Sequence, residues 1–331
     1  VAVEATKWSG ALSTLGFDVR TVAGEGPVDR LLPGLAIGAA EPPERDAVDS
    51  ALDDADLVVV ENLCSLPLNP GAAAVVAGAI RNRRAVLHHH DLPWQRPQYA
   101  ACPPPPDDRA WVHVTVNELS RQELAQVGIT ATVVRNAFDT DAPEGDRGGT
   151  RRALGLDDET RLVLQPTRAI PRKNVAGGLA LAQRLGATFW LLGPAEDGFG
   201  PELDRLVAAA TCPCVLGAAA LGPDWRVQDA YAACDVVVLG STWEGFGNPA
   251  IESAVYRRPL AIGPYPVAAE LAAFGFRWFA LDDAPGLSAC LDAPDPALLE
   301  HNHDVARAHF SLRALPDRID RVLRSAGWVF G

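Results

Sequence analysis

The chain has 331 residues, 48% of them hydrophobic and 21% charged, with a formal net charge of −13. That length accommodates two α/β domains, each with its own core. The acidic balance argues against nucleic acid as the main partner, because duplex binding draws much of its affinity from basic patches. No apolar run reaches the length of a membrane span and no signal peptide opens the chain, so a cytoplasmic protein is expected, with peripheral membrane contact left open. The six cysteines are scattered, Cys212-Pro213-Cys214 has no second pair at zinc-site spacing, and they read as reduced, mostly buried thiols.

Residues 2–15 carry a helical pattern stopped by Gly16, and Phe17 to Val22 reads as a strand. An α/β domain that binds ligands at its strand ends usually opens with a strand and a glycine-rich loop. Here the chain opens at Val1 inside a helix, so the first strand of this domain is expected to be missing. Asp56 to Val60 predicts a buried strand ending at Glu61-Asn62, residues 71–80 a helix, and Ala85-Val86-Leu87 the start of the next strand. That strand runs into His88-His89-His90-Asp91, at the carboxyl edge where open α/β sheets bind ligands. Neighbours in extended chain point to alternate faces, so three consecutive histidines are not expected to form a compact metal site. A polar loop with a buried histidine, or a histidine that touches substrate, remain the readings of this stretch.

Further on, Trp111 to Val116 predicts a strand, Ser120 the cap of a short helix ending before Gly128, and Thr132 to Val134 another strand. Residues 141–150, rich in Gly, Pro and charge, read as a linker. The second half opens with the strand Arg161–Gln165 and the loop Pro166-Thr167-Arg168-Ala169-Ile170-Pro171-Arg172-Lys173-Asn174, where Asn174 caps a helix running to Leu185. Arg168 and Lys173 therefore lie on a strand-to-helix loop, and Lys173 is one of only two lysines, with Lys7, among 29 basic residues. Strand and helix alternate through 189–192, 201–210, 215–217 and 226–233.

The apolar run Asp235–Leu239 then enters Ser241-Thr242-Trp243-Glu244-Gly245-Phe246-Gly247-Asn248-Pro249, with Asn248 as N-cap and Pro249 at the first helical position. Such a turn offers backbone N–H groups and a helix dipole to an anion. Glu244 and Glu252 bracket it with seven residues between them. Two carboxylates beside a phosphate suit hydroxyl recognition on either side of it, as in a nucleoside diphosphate sugar. The remaining elements are a strand at 260–262, helix 267–273, strand 278–280, and helices at 296–308 and 312–325.

The segment Glu244–Glu252 resembles the E-x7-E motif of retaining glycosyltransferases of family 4, which pair two Rossmann-like domains facing each other across a cleft, the GT-B architecture. Arg168 and Lys173 are similar to that family's phosphate clamp, with Thr167 in place of the usual Gly. Arg135-Asn136-Ala137-Phe138-Asp139 is similar to its N-G-V-D segment, departing at Ala137 and Phe138. The resemblance is strongest over residues 161–260 and thin before that. It implies an N-terminal acceptor-side domain over 1–140, a linker at 141–150, a nucleotide-sugar domain over 151–310, and a closing helix in 311–331 that crosses back. By analogy Arg168 and Lys173 stabilise the leaving diphosphate, Glu244 holds sugar hydroxyls, Gly245, Phe246, Gly247 and Asn248 contact the donor, and Glu252 binds the ribose. His90 matches the histidine that contacts the donor sugar, with His88 and Asp91 as acceptor-side candidates and Leu216–Leu221 as a candidate for the base.

The expected activity is metal-independent transfer of a sugar, with retention, from a nucleoside diphosphate sugar to a small-molecule or glycan acceptor. No cofactor is implied beyond the donor. The alternatives are another GT-B enzyme, an epimerase or sugar phosphorylase, and a non-catalytic member that only binds a nucleotide sugar. Asp139-Thr140-Asp141 is formally a metal-type D-x-D, but it sits beside the linker rather than at a buried strand end.

Overall fold

In the computed structural model, which describes residues 1–330, the chain forms two compact units, one of residues 1–137 together with the chain from Arg313 onward and one of residues 138–312. The first unit holds a four-stranded parallel sheet of β1 (Val58–Glu61), β2 (Ala85–His89), β3 (Trp111–Thr115) and β4 (Ala131–Val133), in that order. Register places Glu61 beside His88, and His89 beside Thr115. Val58, Val60, Ala85, Leu87 and Trp111 bury against Val48, Val76 and Ile80 of the helices Arg45–Leu52 and Pro70–Ala79 and the residue that follows. The final helix, Leu315–Ser325, packs on the first, Ala2–Thr14.

The second unit holds β5 (Leu162–Gln165), β6 (Thr188–Leu191), β7 (Cys214–Leu216), β8 (Val236–Leu239), β9 (Leu260–Ile262) and β10 (Phe279–Ala280), all parallel, in the order β10-β9-β8-β5-β6-β7. This is the doubly wound order, whose switch point lies between the first and fourth strands, here β5 and β8. All four residues of β8 are fully buried, as a central parallel strand with both faces covered requires. The core joins Val163, Phe189, Leu191, Val236 and Val238 to Val175, Leu179 and Ala182 of the helix Val175–Arg184.

Several expectations are corrected. Phe17 to Thr21 forms no strand; only Val22–Ala23 pairs, with Arg30–Leu31, because the segment has no longer neighbour to complete its backbone hydrogen bonds. Asn117, not Ser120, caps Glu118–Gln126, its side chain accepting from the Ser120 N–H at 2.6 Å. Gly247, not Asn248, is the N-cap of the helix Asn248–Val255. Residues 147–150 of the expected linker begin the helix Arg147–Ala153, capped by Asp146. Arg147 fixes it to the second unit by donating to the carbonyls of Ala232, Ala233 and Cys234 and pairing with Asp235. Of the six cysteines only Cys64 and Cys234 are buried.

Candidate active site

The loops after β5 and β8 meet at the switch point. Asn174, in the left-handed conformation at φ 49°, accepts from the Gly177 N–H at 3.0 Å and donates to the Gly240 carbonyl at 3.1 Å, so one side chain caps a helix and ties the two loops together. The Thr242 N–H adds a bond to the Arg172 carbonyl at 2.9 Å. Gln165, at the end of β5, donates to the Lys173 carbonyl at 3.0 Å and fixes the loop from below. Gly247 has φ +96°, and a Cβ there would lie 2.1 Å from the Tyr265 hydroxyl, so both conformation and space demand glycine.

This scaffold places Lys173 against Glu244, both buried. The Lys173 ammonium pairs with Glu244 Oε1, Ser241 Oγ donates to the same oxygen at 2.5 Å, and Arg172 reaches Oε2 at 3.0 Å while also donating to the Trp243 carbonyl at 2.8 Å. Burial alone would raise the Glu244 carboxyl, but Lys173 and Arg172 outweigh it and hold it below the usual range. Burial lowers Lys173, against the attraction of Glu244. Arg168 is half exposed and paired with Glu196.

Glu252 lies one turn inside the helix Asn248–Val255, and its Oε2 accepts from the buried Tyr231 hydroxyl at 2.6 Å. Tyr231 comes from the helix Val227–Ala233 and is stacked on Tyr256 at 4.9 Å. Phe246, expected at the donor, is buried among Phe138 and Phe310, at 6.3 and 6.0 Å between ring centroids; its side chain anchors the turn, leaving Gly245, Gly247 and Asn248 to line it. Leu216–Leu221 starts on the last residue of the edge strand β7 and continues into the loop, where the Gly217 carbonyl accepts from Trp190 Nε1 at 2.7 Å.

In the first unit, alternation along β2 sends His89 to one face and His88 and His90 to the other, where Glu61 of β1 joins them. Glu61 Oε2 lies 3.0 Å from His88 Nδ1 and 2.8 Å from His90 Nε2. Alternate faces were expected to prevent a compact group, but residues two apart share a face and the neighbouring strand supplies the carboxylate. These three, and separately Glu300, His303 and Asp304, are the groups with metal-ligand chemistry among the described residues. Burial raises Glu61, yet His88 and then His90 bring it down to about 2. Burial also lowers His90, against the pull of Glu61. His88 is buried beneath Trp8, ring centroids 4.4 Å apart. Asp91 pairs with Arg96 at 2.9 Å, and Asn62 Oδ1 accepts from the His90 N–H at 2.9 Å.

On the other face, one tautomer assignment satisfies a whole chain of groups. Ser65 Oγ donates to His89 Nδ1 at 2.6 Å, His89 Nε2 to His113 Nδ1 at 2.9 Å, and His113 Nε2 to Asp107 at 3.1 Å.

Sequence reasoning brought Lys173, Glu244 and Glu252 to one strand-end region. It missed Arg172, Ser241, Tyr231 and Glu61. Arg172 adjoins Lys173 and Ser241 opens the turn, so both were within reach; Tyr231 and Glu61 carry no local signal.

No protein-family model matches the chain. Mannosylglucosylglycerate synthase of Thermotoga maritima is 25% identical over 334 residues, covering 83% of this chain and 77% of its own. Its namesake from Petrotoga mobilis is 24% identical over 272 residues, covering 67% and 63%. Among solved structures, sucrose-phosphate synthase from Thermosynechococcus elongatus superposes with a TM-score of 0.72 at 15% identity, covering 98% of this chain and 92% of its own. HepE of Anabaena, solved in complex with UDP-glucose, gives 0.67 at 19% identity, covering 86% and 82%. The fold is that of the GT-B glycosyltransferases, with two Rossmann-like units. The chain is an enzyme of the transferase class, a glycosyltransferase.

Proposed function

We propose that the enzyme transfers a sugar, with retention and without a metal, from a nucleoside diphosphate sugar to an acceptor hydroxyl, as a family 4 glycosyltransferase. One observation carries the reading: at the switch point of the second sheet, Glu244 holds Lys173 and Arg172 beside the turn that opens the helix Asn248–Val255. Breaking the glycosidic bond leaves negative charge on the diphosphate. Lys173, Arg172 and the positive end of that helix stabilise the charge as it develops, with Arg168 able to leave its half-exposed partner.

Glu244 has a second capacity. A carboxylate offers about four acceptor positions. Three are taken by Lys173, Ser241 and Arg172, which leaves one on Oε2 for a sugar hydroxyl. Glu252, held by Tyr231, accepts from the ribose, and His90, at a strand end of the first unit, accepts from a substrate hydroxyl. Relatives named for mannosylglucosylglycerate synthesis and a neighbour solved with UDP-glucose set the donors to try first. The test is a panel of UDP-, GDP- and ADP-sugars, glucosyl and mannosyl, assayed for binding and slow hydrolysis with and without a chelator. Chelator-insensitive turnover of one donor is expected; turnover abolished by the chelator and restored by a divalent ion would reject the metal-free mechanism.

A further inference from the structure

Glu61 has no place in the mechanism so far, yet it joins two histidines at a strand end. Its carboxylate is part-buried, accepts from both imidazoles and has no cation of Lys or Arg paired to it among the described residues. Each bond requires a hydrogen on the ring nitrogen that faces it. For His88 this means Nδ1–H, and it fits the other end of the ring: His88 Nε2 is buried with no partner among the described residues, so a lone pair there costs less than an N–H would. For His90 it means Nε2–H, which leaves Nδ1, the atom without a hydrogen bond among the described residues, as an acceptor. Asn62 Oδ1 accepts from the main-chain N–H of His90 and fixes the backbone beneath the ring, while the tilted His88 ring lies 4.5 Å from it.

We propose that Glu61 is a positioning residue: it fixes the tautomers of His88 and His90 so that His90 presents an unprotonated Nδ1 to a substrate hydroxyl at this strand end of the first unit. The inference rests, for its consequence, on the reading that His90 meets substrate. It assigns His90 the role of acceptor rather than cation, and makes the site selective for a substrate carrying a hydroxyl donor at that position over its deoxy analogue. The same three side chains have metal-ligand chemistry. A metal on His88 Nδ1, however, would place the proton on Nε2, burying an unpaired N–H, and the hydrogen bonds already account for their closeness.

Two measurements test this. Long-range 15N spectra of the imidazoles in the wild-type chain at pH 7.5 read the tautomers directly and need no turnover. His90 Nε2–H and His88 Nδ1–H are expected, and in Glu61→Ala, which removes the Oε2 acceptor that the two rings share, the preference for these tautomers is lost. The second is a kinetic cycle. Glu61→Gln lowers kcat/KM about ten- to a hundred-fold, the scale of one charge-assisted hydrogen bond. The same change in a His90→Ala background costs less than about twofold, and Glu61→Asp recovers part of the activity. A His90 Nδ1–H tautomer, an undiminished loss in the His90→Ala background, or a stoichiometric metal retained by the purified chain would each overturn the proposal. If the tautomers are as assigned and no donor is turned over by wild type, it is the glycosyltransferase role of His90 that fails, not the arrangement.

Discussion

Lys173 and Glu244 form a buried ion pair that joins the loop after β5 to the loop after β8, the two loops that flank the switch point of the second sheet. The pair does structural and chemical work at once. Glu244 keeps two cations at a site that would otherwise expel them, and a diphosphate can then share what Glu244 holds.

Removing the carboxylate alone should be costly for the fold. Glu244→Ala leaves Lys173 and Arg172 without their anion in a part-buried site, and breaking such a pair costs about 3–5 kcal/mol. Urea unfolding at pH 7.5 checks this; a loss under about 1 kcal/mol would mean that the loops rearrange and hydrate freely.

Lys173→Met in combination with Glu244→Gln separates the two kinds of work. Lys173→Ala alone should lower kcat by roughly 10²–10³, in line with removal of one transition-state charge partner. The double variant restores much of the stability by removing both charges, yet turnover stays low. Recovery of turnover together with stability would assign Lys173 to the fold only.

Tyr231→Phe removes the 2.6 Å hydrogen bond to Glu252 and little else, since the ring stays packed on Tyr256. Donor affinity should fall several-fold to about tenfold, less than the ten- to hundred-fold scale of a direct bond to a charged group because Tyr231 acts only through Glu252, with kcat nearly unchanged. Titration of the nucleotide by calorimetry measures it. An unaltered affinity would show that Glu252 is oriented without Tyr231.

The histidine chain behind β2 predicts an acid limit to stability. Burial lowers His89 and His113, so the unfolded chain takes up protons that the folded chain refuses. The stabilisation is full above the unfolded value near 6.5 and is lost as the pH falls below it. Unfolding midpoints should be flat from pH 8 to 7 and decline from about pH 6.5 downward. His113→Gln should flatten that decline, and an unchanged slope would place the acid sensitivity elsewhere.

The second unit was the more legible half, and the reason lies in its β8. Asp235–Leu239 is a run so apolar and β-branched that only a doubly covered strand accommodates it, and the turn that follows carries its glycines, proline and glutamates within a dozen residues. Local chemistry of that kind is visible in a sequence. Partnerships across distance are not: Tyr231 meets Glu252 from another helix, and Glu61 meets His88 and His90 through strand register alone. The strand expected at 17–22 failed for the complementary reason, because alternation shows what a segment would bury but not whether a neighbouring strand exists to pair with it. The expected linker hid a helix because Arg147 and Asp146 read as loop charges until the carbonyls of 232–234 are placed beside them.

The proposed activity requires the switch-point site of the second unit to bind a nucleoside diphosphate sugar through Lys173. Calorimetric titration of UDP-glucose and GDP-mannose into the wild-type chain and into the Lys173→Met/Glu244→Gln variant tests it most directly. One donor is expected to bind wild type, and the folded variant to lose at least about tenfold in affinity. Equal affinity in both proteins, or no binding of any nucleotide sugar by the wild type, would contradict it.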